Sequence, residues 1–129
     1  MMENEVLSKE RVSFMEYQGI RILFVDFSKS SAQMMIDTMN EAAELGKRQG
    51  DSLNLMANFK STPKSPEFNK RLKEIGKEYK QLGIDVKLAA LGIDSPFKRV
   101  VVNATIIVTK LKNVKLFESK EKALHWFVP

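Results

Sequence analysis

The chain has 129 residues, a formal net charge of +5 and no cysteine, with 43% hydrophobic and 29% charged residues. This length fits one domain that buries a proper core without staples, and the missing thiols exclude a disulfide scaffold, a cysteine nucleophile, a redox dithiol and a thiolate metal site. The positive charge says little about partners, because the lysines are interspersed with glutamates and form no run of five or six.

The opening stretch MMENEVLSKER is charged and carries no apolar run long enough for a secretory signal. No stretch approaches a membrane span; the longest apolar-rich run, residues 100–108, is interrupted by Asn103 and Thr105. The expected location is the cytoplasm. Residues 1–10 read as a frayed or edge segment. Arg11–Tyr17, RVSFMEY, reads as a strand, and Gln18-Gly19 as a turn. Ile20–Phe27, IRILFVDF, has the strongest strand pattern, short, β-branched, aromatic and nearly all apolar, which suits a strand covered on both faces. The short turn makes these first two strands antiparallel.

Ser28-Lys29-Ser30-Ser31 then starts a helix that runs to about Arg48 and stops at Gly50. At about 100° per residue, Ala32, Met35, Ile36, Met39, Ala42, Ala43 and Gly46 share one face, and its small members let the helix approach the sheet closely. Met34, Thr38, Glu41 and Leu45 fall on a second stripe to the side. Leu53–Phe59 is the next strand. It opens the stretch around which the chain is organised, Leu53 to Leu72, where the strand leads through the polar loop Lys60-Ser61-Thr62-Pro63-Lys64 into a helix with Ser65 as N-cap and Pro66 at the first helical position. Phe68, Leu72, Ile75, Tyr79 and Leu82 recur at 4, 3, 4, 3 and form one buried stripe, while Glu67, Lys70, Arg71, Lys73, Glu74, Lys77, Glu78 and Lys80 cover the rest. Gly83 ends this helix; Val86–Leu91 is a strand closed by Gly92.

Asp94-Ser95-Pro96 repeats the grammar of cap then proline before FKRVVVNATIIVTK. The β-branched content of that run favours a strand, and its cap, length and spacing favour a helix; the helix is the reading adopted. Phe97, Val100, Val101, Ala104, Ile107, Val108 and Leu111 then share one face, with Val102 and Ile106 opposite. Asn113–Phe117 is the last strand, and Ser119 caps a short final helix, KEKALHWF, which packs Ala123, Leu124 and Phe127 or Trp126. After the opening hairpin, strands and helices alternate, with strand starts roughly 30 residues apart. The expected fold is a single α/β domain over residues 1–129: a sandwich with about five strands in a mixed sheet, the first antiparallel and the rest mainly parallel, and about four helices.

The close of the chain, K-L-F-x-S-x-E-K-A-L-x-W-F, is written by Leu116, Phe117, Glu121, Ala123, Leu124, Trp126 and Phe127 among others. With the leading antiparallel strand and the β/α units it resembles the SpoIIAA-like group of STAS-related domains. In that group a phenylalanine-containing last strand leads into an acidic, alanine-bearing helix ending in Trp-Leu. The resemblance implies a β/α superhelix of the kind shared by anti-sigma-factor antagonists and CRAL-TRIO lipid carriers. It also implies a non-enzymatic regulatory or protein-interaction module that meets a protein partner or a second copy of itself. The antagonists carry a phosphorylatable serine in an Asp-Ser-Ser-Gly-like motif between the third strand and second helix. Here that place holds Phe59-Lys60-Ser61-Thr62-Pro63-Lys64-Ser65-Pro66, with serines but neither the acid nor the glycine.

Ser61, Thr62 and Ser65 are therefore the candidates for phosphorylation or anion binding, a helix N-terminus being favourable to negative charge; the plainer account is a cap and two solvated loop hydroxyls. Asp26 and Asp94, each near a strand end, are the carboxylates an acid–base site would use, but Asp94 also serves as a cap, Asp26 precedes a turn, and no nucleophile–base set can be assembled. No glycine-rich phosphate loop follows either, so no cofactor is expected. His125 is the sole histidine, which rules out a multi-histidine metal site. The lysines of the second helix alternate with glutamates and lack aromatic neighbours for base stacking, so a nucleic-acid partner is not expected. Val102 and Ile106 stand as a candidate interface or pocket wall, with burial under the C-terminal helix as the competing account. The surplus apolar residues of the first and third helices support the alternative function, a carrier or sensor of a lipid or other apolar small molecule.

Overall fold

The computed structural model describes residues 11–93 and 113–129. In chain order these form β1 (Val12–Tyr17), β2 (Ile20–Asp26), α1 (Ala32–Lys47), β3 (Ser52–Asn58), α2 (Pro66–Gln81), β4 (Asp85–Leu91), β5 (Asn113–Phe117) and α3 (Lys120–Phe127). The five strands make one mixed sheet in the order β1-β2-β3-β4-β5. β1 pairs antiparallel with β2, and every later pair is parallel. The expected helix between β4 and β5, with its cap Asp94 and with Val102 and Ile106, lies outside the described residues.

The first hairpin is tight because Gln18 and Gly19 both take positive φ, 50° and 81°, the conformation a two-residue hairpin turn requires. Serine hydroxyls start the three described helices: Ser31 accepts from the Met34 amide, Ser65 from Phe68 and Ser119 from Lys122. Each cap satisfies one amide that the first turn leaves without a partner.

Strand alternation separates two cores. Leu23, Val25, Leu53 and Ala57 face α1 and α2, where they pack with Met35, Met39, Phe68, Ile75 and Tyr79. Ile22, Met56, Ala89 and Leu91 face the other way and are covered by Ala123 and Phe127 of α3. Burial on both faces explains the almost unbroken apolar run of β2.

α1 and α2 approach closely at Gly46. A Cβ there would lie 2.8 Å from Leu53 Cδ2 and run into the Tyr79 hydroxyl, which donates to the Ala43 carbonyl. Desolvation in this packing pushes the Tyr79 phenol up to about 12. On the outer surface, Glu78 accepts from Lys47 Nζ at 2.8 Å and from Arg71 Nη1 at 3.2 Å, while Arg71 Nε donates to Asn40 Oδ1. Arg71 is thus part of an interhelical clamp rather than the purely solvated face that its charge suggested.

Two positions depart from the helical patterns. Leu82, expected in the buried stripe of α2, is 60% exposed. It is the C-cap of α2, immediately before Gly83 turns the chain at φ 73°, so it falls beyond the last packed turn. Thr38, expected on a lateral stripe, is only 1% exposed, because the buried face of α1 is wider than the run from Ala32 to Gly46 suggests.

Candidate functional site at the carboxyl ends of the parallel strands

The loops after β2 and β3 are built as one unit. Parallel pairing continues past the strand ends, with Phe27 N donating to Asn58 O at 2.9 Å and Phe59 N to Leu91 O at 2.8 Å. Lys29 N then donates to Lys60 O at 3.2 Å, joining the two loops directly. Beneath them Phe27 and Phe59 stack with centroids 5.2 Å apart, and Phe68 meets Phe27 edge-on at the same distance. Such ring pairs add to the burial of their apolar area, so the polar loop rests on a fixed aromatic floor.

The polar side chains here are largely committed to the backbone. Asp26 Oδ1 accepts from the Ser28 amide at 3.0 Å and from Asn58 Nδ2 at 3.4 Å. Asn58 Oδ1 accepts from the Lys60 amide. Arg11 Nη1 donates to the carbonyls of Asp26 and Ser28 at 2.9 and 2.8 Å. Asp26 is therefore a turn-forming carboxylate held in the fold. Asp94, the other expected carboxylate, is outside the described residues, and so are Val102 and Ile106.

The three candidate hydroxyls fall into three different states. Ser65 is 4% exposed and accepts from the Phe68 amide at 3.1 Å. Thr62 is half-buried and donates to the Phe59 carbonyl at 2.8 Å. Ser61 is exposed, holds φ at 57°, and among the described residues its hydroxyl has no hydrogen-bond partner. Lys29, Lys60 and Lys64 are exposed on the same pair of loops. What the surface offers is the exposed Ser61 hydroxyl and several ammonium groups on a rigid base.

Sequence reasoning missed the residues that brace this loop. Arg11, Asn58 and Gly92 do so, and only Gly92 carried a signal, as the residue closing β4. Its φ is 72°, and a Cβ on it would lie 2.8 Å from Lys60 Cα and 2.9 Å from Asn58 Oδ1. Topology also limits what sits here. Open α/β sheets bind ligands in the crevice where the strand order reverses. β2, β3, β4 and β5 are laid down in one direction, and α1 and α2 both lie on the same face, so among the described residues no such reversal opens a crevice.

His125 is exposed and lies edge-on to Tyr17 at 5.9 Å. Among the described residues no three His, Asp or Glu side chains gather as a metal site, and no helix is long and apolar enough to cross a membrane. Compared with known proteins, the chain matches no family model, no curated protein and no solved structure.

Proposed function

We propose that this chain is a non-enzymatic, regulatory protein-interaction module, of the kind implied by its resemblance to anti-sigma-factor antagonists, and that the Lys60–Lys64 loop is its docking surface. The observation that carries this reading is the contrast within the loop. The Asp26 carboxylate, the one described group at this edge that acid–base chemistry would use, is bonded into the turns together with the Asn58 amide, whereas Ser61, Lys29 and Lys60 project from a braced platform. A preorganised exposed loop limits the ordering cost of binding. The antiparallel first strand and the one-directional parallel strands support the β/α superhelix expected from the resemblance. Phosphorylation or anion capture then belongs at Ser61, because Ser65 is buried in a cap and Thr62 is bonded back to Phe59.

A photo-crosslinking residue placed at Ser61, compared with one at Leu82 at the opposite end of the sheet, tests this in the cell of origin. A discrete protein adduct from position 61 that is absent from position 82 is expected, and a Ser61→Glu background should change its yield. Adducts of equal yield and identity from both positions, or none from position 61, would remove the loop as the docking surface.

A further inference from the structure

The charges of α2 are sorted by direction rather than mixed. At ~100° per residue, Lys70, Lys73, Lys77 and Lys80 fall within about 80° of arc, and Glu67, Glu74 and Glu78 fall within about 40° of arc centred roughly 100° away. The acidic side is the one turned to α1, where Glu78 meets Lys47 and Arg71, and Glu74 meets Arg71. The clamp between the helices thus takes up the arginine and two of these glutamates, and leaves the lysines aside. Lys70, Lys77 and Lys80 are exposed and Lys73 is half-buried. Among the described residues none of the four forms an ion pair. Alternation along the sequence hides this separation, because a helix turns sequence neighbours to different sides. The undescribed residues 94–112 carry Lys98, Arg99, Lys110 and Lys112 against Asp94 alone, so they add net positive charge.

We propose that this lysine stripe docks on the phosphate backbone of a nucleic-acid duplex without reading its sequence. From Lys70 to Lys80 it spans about 15 Å at ~1.5 Å per residue, a length over which B-DNA presents roughly nine phosphates. Contacts of this kind position a protein on the backbone and carry no sequence information. Arg71, the arginine of α2 that could make a bidentate contact with a base edge, is bonded to Asn40 and Glu78. A single strand fits less well, because base stacking needs exposed rings and the aromatic residues of α2, Phe68 and Tyr79, are buried. A lipid bilayer also fits less well. α1 lies in the same layer with Asp37 and Glu44 exposed, so a flat anionic surface laid on α2 would meet these carboxylates too, whereas a rod lying along α2 curves away from them. The inference stands independently of the docking loop.

The test is fluorescence anisotropy of a labelled DNA duplex titrated with the complete 129-residue chain over a series of salt concentrations. Counterion release gives log K a slope on log salt of about −0.9 per phosphate neutralised, so four lysines are expected to give about −3.6. Scrambling the duplex sequence is expected to change affinity less than about 2-fold. Lys70→Gln with Lys77→Gln keeps helix propensity and is expected to flatten the slope by about 1.8 and weaken binding at least about 10-fold at low salt. Lys115→Gln with Lys122→Gln removes the same charge from exposed positions on β5 and α3 and is expected to leave the slope unchanged. The variants are compared as folded chains of matched Tm. A slope shallower than about −1.8 for the unmodified chain overturns the proposal, and so does equal flattening by the two double variants, which marks a diffuse effect of net charge. Phosphatidylserine vesicles and polyglutamate stand for the other occupants. If either binds as tightly as the duplex, with the same loss in the Lys70 and Lys77 variant, the duplex is overturned as the partner.

Discussion

At Gly92 the backbone takes φ 72°, and the Lys60 backbone lies against the place where a Cβ would project. Both facts act in the same direction. A side chain there must adopt the left-handed region, costing about 1 kcal/mol or more, and must also push the loop away from β4. Gly92→Ala is expected to destabilise the fold by about 2–4 kcal/mol and to shift the amide resonances of Phe59 to Ser65; urea unfolding and an amide spectrum check it, and a loss below about 0.5 kcal/mol would show that the loop does not rest on this glycine. Thr38 gives the opposite case. Its hydroxyl is buried and among the described residues has no hydrogen-bond partner, so it carries a desolvation cost with no return. Thr38→Val keeps the shape and the β-branching while removing that oxygen, and it is expected to stabilise by about 1 kcal/mol. A destabilised valine variant in the same urea titration would mean the hydroxyl does find a partner, such as a buried water.

Helices α1 and α2 show how far local pattern carries and where it stops. Their starts were legible because Ser31 and Ser65 stand at cap positions, as Ser119 does for α3, and because Pro66 has no amide to lose at the first turn. The stripe Phe68, Ile75 and Tyr79 was legible because period 3.6 survives packing. The Lys47–Glu78–Arg71 clamp was not, since it joins side chains on two helices whose facing register depends on the tertiary approach at Gly46. Its electrostatics make a pH prediction. The hydrogen bond from Lys47, aided by the charges of Lys47 and Arg71, holds the Glu78 carboxyl below its ordinary value. The native state then binds fewer protons there than the unfolded chain, so this contribution is present above the unfolded carboxylate pKa and is lost as pH falls through the depressed native value. Lys47, raised chiefly by its hydrogen bond to Glu78, contributes below its ordinary value of 10.5 and loses that contribution as pH rises through the raised one. Neutral pH keeps both. Since the Glu78 side chain is 37% exposed, solvent screening keeps the effect modest. In urea titrations at pH 7 and pH 3, Glu78→Gln is expected to lose less stability on acidification than the unmodified chain; equal losses would place the acid sensitivity elsewhere.

Across the whole molecule, the α/β class, the leading antiparallel hairpin and the parallel succession could be read from alternation and turn signals, whereas the strand order could not. Each crossover is a local event, and the same alternation of strands and helices fits an order that reverses as well as one that does not. Among the described residues the observed order opens no crevice at the Leu53–Leu72 junction, which stands as a braced, exposed loop. The two faces also differ in how they are held. Among the described residues one is covered by α1 and α2 of 16 residues each, the other by α3 of 8 residues, too short to be helical by itself. α3 is kept in place by burial of Ala123 and Phe127 and by Lys87. The Lys87 ammonium donates to the Trp126 carbonyl at 2.8 Å and lies 4.6 Å from the Trp126 ring centroid. It therefore satisfies a carbonyl of the last helical turn and adds a cation–π contact. Lys87→Met keeps most of the apolar stem and removes both interactions. It is expected to cost about 1–2 kcal/mol, to red-shift the emission of Trp126, the sole tryptophan, and to speed hydrogen exchange in α3 before that in β2 or β3, since α3 is the shortest described helix and the one that loses an anchor. Unchanged emission together with exchange that quickens uniformly over the chain would show that α3 is an inseparable part of one cooperative core, held by Phe127 and Ala123 alone.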